Sequence, residues 1–531
     1  MTQVIEPEPS RPLIQGNDME QSLSSKEPPC PGDVPPKRRS IHARGHHDKC
    51  PLYVALCSYL SYCIIFLVGI IRESIFGIPS KTRETNREGY SPLYASFESF
   101  YTRNVFRRLK DSFSHPIASV PGATVKIIGR SSNDHFWSFK MVKSQVKTCI
   151  NLGSYNYLGF AENNGSTTEA TIQEIKDRGL TTCSPRMEYG TSAVHVELER
   201  TVSDFIGSED AITFGMGFAT NCLNIPAIVG KKCLVLSDEF NHASIILGLR
   251  LSGATVMVFK HNNVDNLDKI IRQAIIRGHP RTRRPWKKIL IMVEGVYSME
   301  GSIVRLPEIV AIKKKYGAYL YLDEAHSVGA MGRRGRGIVD YFDLNPKDID
   351  ILMGTFTKSF GAAGGYIAGS KTLISYLRTQ TQAGCYASSI SPPIARQVIA
   401  SMNAVMYSID GLKRIHRLLN NSRYFRENLK KLGFIVYGHI DSPVVPLLLF
   451  MPSKIQGFVN EMMHFNIATV GVGFPATPIT EERVRFCMSA GHSKEMLDEV
   501  LSVIDRVGDQ LRLKYSSRKR DPNRIIPYYD F

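Results

Sequence analysis

The sequence contains no C-x-x-C pair, and its ten cysteines are scattered singly from Cys30 to Cys487. A disulfide framework or a structural zinc site would need clustered spacing, so neither is expected and no metal site is predicted. Scattered free thiols fit a reducing compartment. The sequence also lacks a zinc-finger, helix-turn-helix or aromatic-plus-basic RNA signature, so we expect no nucleic-acid partner.

Acidic residues are also few, because 66 lysines and arginines face 49 aspartates and glutamates, which gives a formal net charge of +17. Much of the excess lies in short clusters at 37–39, 281–288, 333–336 and 518–520. Such clusters fit a membrane surface or phosphate-bearing substrates, but they are also typical of solvated faces. The length of 531 residues and the 43% hydrophobic content predict a globular chain of roughly three domains.

The N-terminal part divides into a polar segment and an uncharged one. Residues 1–50 are rich in proline, serine and charge, and we expect them to be disordered. Leu52–Ile71 then runs for twenty residues without a charge, which at about 1.5 Å per residue covers a hydrocarbon core of about 30 Å. Serines and tyrosines dilute this segment, so an interfacial helix and a buried core helix are alternatives. The neighbouring segments are polar and would not bury the apolar side chains of this run. We therefore predict that residues 51–72 form a membrane anchor.

From about residue 150 short aliphatic runs alternate with helical stretches, which is typical of an α/β fold with a mostly parallel central sheet and helices on both faces. Ligands bind at the carboxyl ends of such strands, so polar residues that end a run are site candidates. The runs are Cys233–Leu236 before Ser237 and Asp238, Ile289–Val293 before Glu294, Tyr319–Leu322 before Asp323, and Ile351–Met353 before Gly354 and Thr355.

After about residue 395 the pattern indicates a smaller C-terminal α+β domain, with extended runs at Gly433–Tyr437, Val444–Phe450 and Ile467–Val472. The predicted division places a juxtamembrane and N-terminal segment at 73–170, a large α/β domain at 171–395, the small domain at 396–512 and a basic tail at 513–531.

One lysine follows a predicted strand and is surrounded by hydroxyls and glycines, in Gly354–Gly365. A Walker-type nucleotide loop would carry glycine directly before the lysine, whereas Thr357 precedes Lys358. Two explanations stay open for this segment alone. One is a surface lysine in a Gly-rich turn; the other is a lysine that forms a Schiff base with pyridoxal phosphate (PLP), whose phosphate Thr355 and Thr357 could bind.

Asp323, at the end of the preceding predicted strand, favours the cofactor explanation. PLP needs a carboxylate against its pyridine nitrogen, because the protonated ring can accept the electrons of a carbanion. His326 is three residues further on, on the same side of a turn, and could reach the phenolic oxygen of the cofactor or the substrate. A lone D-x-x-H is a weak signal, but a strand before it and Lys358 after the next strand make it more specific.

Two further segments are weak signals by themselves. In Phe214–Asn221 glycines lead into a helix, and the exposed backbone N–H groups could bind a phosphate. In Ser237–Ser244 the imidazole of His242 follows a strand directly and could stack on a cofactor ring. A turn histidine without a ligand is the more common explanation of this second pattern.

Together these motifs resemble the α-oxoamine synthases, PLP enzymes of fold type I that join an amino acid to an acyl-CoA and release CO₂. The resemblance runs from about Asn151 to about Tyr515. Within the family, Gly354–Gly365, Arg281–Lys288 and Gly473–Pro478 look like the lysine-bearing catalytic subunit of the eukaryotic serine palmitoyltransferases. The resemblance implies condensation of L-serine with palmitoyl-CoA to 3-ketodihydrosphingosine, CoA and CO₂, the first step of sphingolipid synthesis.

The resemblance also implies roles for particular residues. Lys358 would hold the cofactor and act as general base and acid, and Asp323 would pair with the pyridine nitrogen. His242 would stack on the ring, and His326 would contact the phenolic oxygen or the substrate carboxylate. Implied contacts with the cofactor phosphate come from Thr355, Thr357, Gly215, Met216, Gly217 and Phe218, and implied substrate contacts come from Arg485, Tyr155 and Asn156.

Arg485 matches the arginine that bacterial relatives offer to the substrate carboxylate, and nearby Arg483 is the less favoured residue. Those relatives carry a second arginine just before a Pro-Ala-Thr-Pro turn, where this chain has Gly473 and Phe474. Handling of the carboxylate is therefore expected to differ from that of the bacterial enzymes.

The resemblance implies a heterodimer with a homologous first subunit that lacks the lysine, and small activating and regulatory membrane subunits as further partners. It implies a single-pass protein of the endoplasmic reticulum membrane whose catalytic domain faces the cytosol. Two alternatives remain: the same chemistry on another amino acid or acyl-CoA, and a non-catalytic scaffold subunit. The anchor and Gly473–Pro478 argue against the first, and the set of Lys358, Asp323 and His242 argues against the second.

Overall fold

The computed structural model describes residues 50–77, 88–91, 100–517 and 524–529. The polar segment predicted to be disordered lies outside these ranges except for Cys50, as does part of the predicted basic tail. All described residues belong to one compact unit, His47–Phe531. The limits predicted for smaller domains stay predictions.

The described residues form strands and helices in alternation. The strands are β1 (Thr124–Ser131), β2 (Lys140–Asn151), β3 (Asp210–Phe214), β4 (Cys233–Asp238), β5 (Thr255–Phe259), β6 (Lys288–Glu294), β7 (Tyr319–Asp323), β8 (Ile351–Thr355), β9 (Gly365–Gly369), β10 (Val444–Leu448), β11 (Ile467–Ala468), β12 (Val470–Val472) and β13 (Arg483–Cys487). The helices are α1 (Leu52–Phe76), α2 (Arg107–Leu109), α3 (Ser166–Arg178), α4 (Ala193–Ile206), α5 (Gly217–Cys222), α6 (Ile225–Ile228), α7 (Ala243–Ser252), α8 (Val264–Arg277), α9 (Leu306–Tyr316), α10 (Ile338–Tyr341), α11 (Lys371–Gln380), α12 (Gln382–Tyr386), α13 (Pro392–Tyr407), α14 (Ile409–Lys431), α15 (Pro452–His464) and α16 (Lys494–Gln510). A π-helical turn covers Thr102–Phe106, and 3₁₀ turns cover Lys110–Ser112, Pro346–Asp348 and Ile479–Glu481.

The central sheet has seven strands in the order β3-β9-β8-β7-β6-β4-β5. Strands β4 to β8 pair in parallel, and β9 runs antiparallel to both of its neighbours. The predicted mostly parallel α/β sheet is therefore confirmed. All four aliphatic runs predicted as strands are strands, and each extends by one or two residues into the polar residues that follow it.

The two faces of this sheet are covered by separate apolar clusters, because successive side chains of a strand point to opposite faces. Leu234 and Leu236 of β4 belong to the larger cluster, whereas Val235 between them belongs to the other. Helices α4, α8 and α9 contribute to the first cluster, and helices α6, α7 and α11 contribute to the second. The helices therefore cover both faces, as predicted, and the full burial of each aliphatic side chain contributes about 1.5–3 kcal/mol.

The C-terminal region contains a three-stranded antiparallel sheet in the order β10-β13-β12. A second small sheet joins β1 and β2 to β11, with Ile467 paired to Ile150, so residues before the central sheet pack with residues after it. The run Gly433–Tyr437 is not a strand, and only Val436 forms an isolated bridge, with Leu447. Its partner strand β10 contains Pro446, which has no N–H to donate, so a regular ladder cannot continue past that residue.

The uncharged N-terminal run forms α1, which continues five residues beyond Ile71 to Phe76. The helix is long and apolar enough to cross a membrane. The expectation that nothing nearby covers it is wrong, because Val54, Ser58, Tyr62 and Gly69 are buried against the rest of the chain.

Candidate active site

The carboxyl ends of neighbouring parallel strands bring together the residues that the motifs singled out. Asp323 ends β7, and the strand register places it beside Glu294, the last residue of β6. His242 lies four residues after the end of β4 and caps α7. Lys358 follows β8 in the turn that leads to β9. The site is therefore built from loops at one edge of the sheet, where α/β proteins bind ligands.

The lysine turn is tightly packed against the segment that precedes α3. Gly361 has a φ of +59°, and a Cβ added there would lie 2.5 Å from the Phe160 carbonyl carbon. The Lys358 ammonium lies 5.7 Å from the centre of the Tyr155 ring. Burial lowers the pKa of Lys358 to about 8, while the carboxylates of Asp323 and Glu294 oppose that shift. The amine is therefore a much better base and nucleophile at neutral pH than an ordinary lysine.

Asp323 is buried, and both of its carboxylate oxygens are held. The amide of Asn221 donates to Oδ2 at 2.8 Å, and the backbone N–H of Ala325 donates to Oδ1 at 2.9 Å. Asn221 is in turn fixed by the Tyr321 hydroxyl, which donates to Oδ1 at 2.6 Å, and by a 2.9 Å bond to Ser244. This network fixes the orientation of the carboxylate before any ligand arrives.

His326 is buried and stands between aromatic rings. Its Nδ1 is 2.8 Å from the Tyr157 hydroxyl, and its ring meets the Tyr155 ring edge-on with centroids 5.3 Å apart. Burial, together with the positive charges of Lys358 and Arg485, holds the pKa of His326 well below its usual value. The imidazole is therefore neutral at neutral pH, and the Tyr157 bond leaves Nε2 as the nitrogen available to a ligand.

His242 is held by its own helix and by Glu294. Its Nδ1 lies 2.7 Å from the Ser244 hydroxyl, and its backbone N–H donates to the Glu294 carboxylate. Burial lowers the pKa of His242, and the charge of Lys358 adds to this effect while Asp323 opposes it. Glu294 is buried, and this burial, reinforced by the charge of Asp323, raises the pKa of Glu294 well above the ordinary value.

The residues expected to meet a phosphate lie where β8 approaches the start of α5. Thr355 Oγ1 is 2.8 Å from Thr357 Oγ1 and donates to the Gly364 carbonyl at 2.9 Å. A Cβ at Gly217 would lie 2.6 Å from Thr355 Oγ1, so only glycine allows this approach. A Cβ at Gly215 would meet only ordinary contacts, while Met216 and Phe218 expose 62% and 42% of their surfaces. The structure therefore brings the hydroxyls of Thr355 and Thr357 close to the backbone at Gly217. The side chains of Met216 and Phe218 are partly exposed to solvent and are not buried in the site.

The two arginines of β13 differ sharply in their partners. Arg483 donates to Glu481 at 2.9 Å, to Glu300 at 3.3 Å and to the Met299 carbonyl at 2.9 Å. Arg485 is buried over the Tyr155 ring at 4.7 Å, its Nη1 is 3.7 Å from the Met299 sulfur, and its Nε has no partner among the described residues. No carboxylate in the described part of the chain pairs with Arg485. The geometry thus favours Arg485 as the arginine that is free to bind an anion.

Asn156, the remaining predicted substrate contact, has its side chain engaged by backbone groups. Its amide donates to the Pro121 carbonyl at 3.0 Å, and its oxygen accepts from the Ala161 N–H at 3.2 Å. These bonds fix the loop that carries Tyr155 and Tyr157. The contacts therefore favour a positioning role for Asn156 over direct contact with substrate.

Two residues of the site were not predicted as members of it, Asn221 and Tyr157, whereas Glu294 was predicted as a strand-end candidate without a role. Glu294 carried a signal, because it ends a predicted strand beside Asp323. Tyr157 lies within the motif that begins at Asn151, but its bond to His326 joins positions 169 residues apart. Asn221 closes the Gly-rich segment, yet nothing local indicates its bond to a carboxylate 102 residues away.

Comparison with known proteins agrees with this geometry. The family model of class I and II aminotransferases matches residues 147–504. The chain is 51% identical to human serine palmitoyltransferase 3 over 481 residues, which cover 89% of this chain and 87% of that protein. It is also 51% identical to serine palmitoyltransferase 2 of Caenorhabditis elegans over 468 residues, 87% of this chain and 84% of that protein.

Solved structures give the same result. A serine palmitoyltransferase with its PLP internal aldimine superposes with a TM-score of 0.69 at 28% identity, covering 79% of this chain and all of that one. The region matched by the family model contains the lysine turn, the strand end with Asp323 and the arginine strand β13. The chain therefore belongs to the serine palmitoyltransferase family of PLP-dependent enzymes, within the class I and II aminotransferase fold.

Proposed function

We propose that this chain is the catalytic, PLP-binding subunit of a serine palmitoyltransferase. It condenses L-serine with palmitoyl-CoA to 3-ketodihydrosphingosine, CoA and CO₂. The observation that carries the proposal is the placement of Lys358 at the same sheet edge as Asp323, next to a buried arginine without a carboxylate partner among the described residues.

The residues present fit PLP. Lys358 offers an amine whose lowered pKa suits covalent capture of an aldehyde. Asp323 offers a carboxylate of fixed orientation, and the close approach of Gly217 to Thr355 forms a cradle that a Cβ would fill. When bound, PLP supplies a ring that accepts the electrons of a carbanion formed beside the amino group of the substrate.

The residues of the chain perform the remaining tasks. Arg485 binds and orients the serine carboxylate, and its desolvated guanidinium forms charge-assisted hydrogen bonds that are stronger than neutral ones. Lys358 accepts the Cα proton, because an amine with a pKa of about 8 is already neutral in about one molecule in ten at pH 7. The neutral His326 donates or accepts a hydrogen bond through Nε2 without placing a second cation beside Lys358.

The setting of this subunit is part of the proposal. Its partner is a homologous first subunit without the lysine, and small activating and regulatory membrane subunits join the pair. The complex resides at the endoplasmic reticulum membrane with its catalytic domain in the cytosol, where PLP and acyl-CoA are available. Support comes from the membership of the chain in this family and from the apolar helix α1.

The test is incorporation of labelled serine into a long-chain keto amine by the chain co-expressed with a first subunit. Wild type should form product with palmitoyl-CoA, and Lys358→Ala should form none. Lys371→Ala, which changes an exposed lysine at the start of α11, should retain full activity. Wild type should also show a visible cofactor band that borohydride fixes to Lys358. A colourless wild-type protein, or product from Lys358→Ala, would overturn the proposal. Product only with short acyl-CoA would show that the acyl donor is not palmitoyl-CoA.

A further inference from the structure

A short turn lies between the carboxyl edge of the central sheet and the arginine strand β13. This turn, residues 297–302, comes after Glu294 of β6 and before α9. The Gly301 N–H donates to the Tyr297 carbonyl at 2.8 Å, and the Tyr297 N–H donates to the Ser302 carbonyl at 3.0 Å. These two bonds close the turn on itself, so a shift of one of its residues displaces the others.

The tip of the turn contacts both arginines of β13. The Met299 carbonyl accepts from Arg483 at 2.9 Å, and the Glu300 carboxylate accepts from Arg483 at 3.3 Å. The Met299 sulfur lies 3.7 Å from Nη1 of Arg485. Met299 therefore borders the guanidinium that we propose binds the serine carboxylate.

The base of the turn is bonded to a histidine–aspartate pair. The Ser302 hydroxyl is 2.7 Å from Nε2 of His261, and Nδ1 of His261 is 2.9 Å from the Asp238 carboxylate. The side chain of Asp238 is 1% exposed and that of His261 is 15% exposed, so water competes little for these bonds. The His261 ring also meets the Tyr297 ring edge-on, with centroids 4.4 Å apart. The imidazole thus contacts the turn at both Tyr297 and Ser302.

The bonds around Asp238 orient these three side chains, Asp238, His261 and Ser302, which we call the relay. Oδ1 of Asp238 also accepts from the Phe240 N–H at 3.0 Å, and Oδ2 accepts from the Asn262 N–H at 3.1 Å. Beside a carboxylate that accepts, the proton of the neutral imidazole lies on Nδ1, so Nε2 accepts from the Ser302 hydroxyl. The relay therefore ties the turn to the ends of β4 and β5.

Aspartate, histidine and serine bonded in this order also form nucleophilic triads. A triad serine presents its hydroxyl to a substrate beside N–H groups that stabilise an oxyanion. Here the N–H groups of Gly301 and Val304, which flank Ser302, donate to backbone carbonyls of the same segment. The contacts therefore favour a relay that holds the turn over one that activates the serine.

We propose that His261 and Ser302 are positioning residues for substrate binding. Through the 297–302 turn they keep Met299 against Arg485, and they thereby keep the guanidinium in place for the serine carboxylate. This inference rests on the proposed function, because it takes Arg485 as the residue that binds serine.

The first test measures serine binding by the chain co-expressed with a first subunit. Ser302→Ala should raise the serine concentration needed to change the visible cofactor band about fivefold, which is the effect of one hydrogen bond. The KM for palmitoyl-CoA and the cofactor band without serine should not change. Ser302→Thr, which keeps the hydroxyl, should bind serine like wild type. Ser203→Ala is the matched control, because it removes a hydroxyl that donates to the Arg200 carbonyl within α4, and it should also bind serine like wild type.

The second test asks whether the effect passes through Arg485. In the Arg485→Met background, Ser302→Ala should weaken serine binding further by less than twofold, since the side chain that the turn positions is gone. His261→Phe keeps a flat ring without its nitrogens and should weaken serine binding at least as much as Ser302→Ala, and the two changes together should add nothing further.

Four results of these tests would overturn the inference. They are full additivity of Ser302→Ala with Arg485→Met, an equal rise in the KM for palmitoyl-CoA, unchanged serine binding by Ser302→Ala, and covalent labelling of Ser302 by a fluorophosphonate. The last result would show a nucleophilic serine instead of a positioning one.

A third measurement separates this inference from the proposed function. Hydrogen exchange in the purified complex is followed by mass spectrometry in peptides that contain residues 295–304 and β13. Ser302→Ala should speed exchange in both peptides, and Ser203→Ala in neither. A wild-type cofactor band that does not respond to serine would contradict the proposed function. Unchanged exchange of β13 in Ser302→Ala would show that the turn does not hold the arginine strand, whatever the response to serine.

Discussion

Arg483 and Arg485 lie two residues apart on β13, and their neighbours give them different tasks. Arg483 pairs with two carboxylates, whereas Arg485 keeps a buried Nε without a partner among the described residues. A buried cation without a compensating charge is costly, and proteins retain one where a ligand supplies the missing anion. The difference cannot be seen in the sequence, where the residues read Arg-Val-Arg.

Replacing each arginine by methionine should separate binding from stability. Arg485→Met should raise the KM for serine about 10- to 100-fold, because one charge-assisted bond contributes about 1.5–3 kcal/mol. Its thermal midpoint should stay close to that of wild type or rise, since the variant removes a buried charge that has no carboxylate partner among the described residues. Arg483→Met should instead lower the free energy of unfolding by about 3–5 kcal/mol, because Glu300 and Glu481 lose their cation. Serine titrations and thermal unfolding of both variants check this, and the reverse pattern would show that Arg483 is the substrate residue.

Residues that act through local spacing could be predicted, and residues that act through the fold could not. Asp323, His326 and Lys358 lie at or just after the ends of strands that aliphatic runs in the sequence predict. Chemical roles could therefore be assigned to these residues from local patterns. The assignment of Arg485 came from resemblance alone. Asn221 reaches Asp323 only because α5 packs near the end of β7, and no periodic pattern encodes that contact.

At the scale of elements, hydrophobic patterning predicted four of the seven strands of the central sheet, β4, β6, β7 and β8, because buried parallel strands read as unbroken aliphatic runs. It failed at Gly433–Tyr437, a run of aliphatic and aromatic residues that lies beside Pro446 and forms only an isolated bridge at Val436. It identified α1 but not its buried face. Ser58 and Tyr62 appeared only to dilute an apolar run, although they are the residues that attach the helix.

The attachment of α1 at Glu482 predicts a pH dependence of stability. Burial raises the pKa of Glu482 from 4.5 to about 7, and the hydrogen bonds from Tyr62 and from the Phe474 N–H oppose that shift. Between these values the folded chain keeps a proton that the unfolded chain releases. The contribution of Glu482 to the free energy of unfolding is therefore greatest at low pH. It falls as the pH rises toward 7, by an amount on the order of 3 kcal/mol.

Glu482→Gln removes this titration while keeping the shape of the side chain. The thermal midpoint of the variant relative to wild type should rise between pH 5 and pH 8, measured in the same detergent. Glu499→Gln, which removes an exposed carboxylate from α16, controls for the loss of one negative charge. A difference between Glu482→Gln and wild type that does not change with pH would mean that Glu482 is ionised in the folded chain.

At the scale of the whole molecule, segments from both ends of the chain complete the structure around the central sheet. Strand β2 pairs with β1 on one side and with β11 on the other, and α1 packs on residues between 435 and 482. The sequence predicted these segments as separate parts, because contacts between distant segments leave no periodic signal. The arginine strand β13 follows Glu482 directly, so the residues on which α1 packs and the strand that carries Arg483 and Arg485 are adjoining parts of one packed region.

Removing residues 1–77 should therefore destabilise the catalytic part instead of releasing it intact. The truncation exposes the cluster of Ile435, Leu448 and Phe450, removes the Tyr62 partner of Glu482 and leaves Arg103 without Glu73. We expect a lower thermal midpoint and a greater tendency to aggregate than for the full chain in detergent. Glu482 also gains access to water, so the pH-dependent advantage of Glu482→Gln should disappear in the truncated chain. A truncated protein with the full-length midpoint and an unchanged effect of Glu482→Gln would show that α1 is only a tether, because a docked helix must be coupled to the carboxylate that it covers.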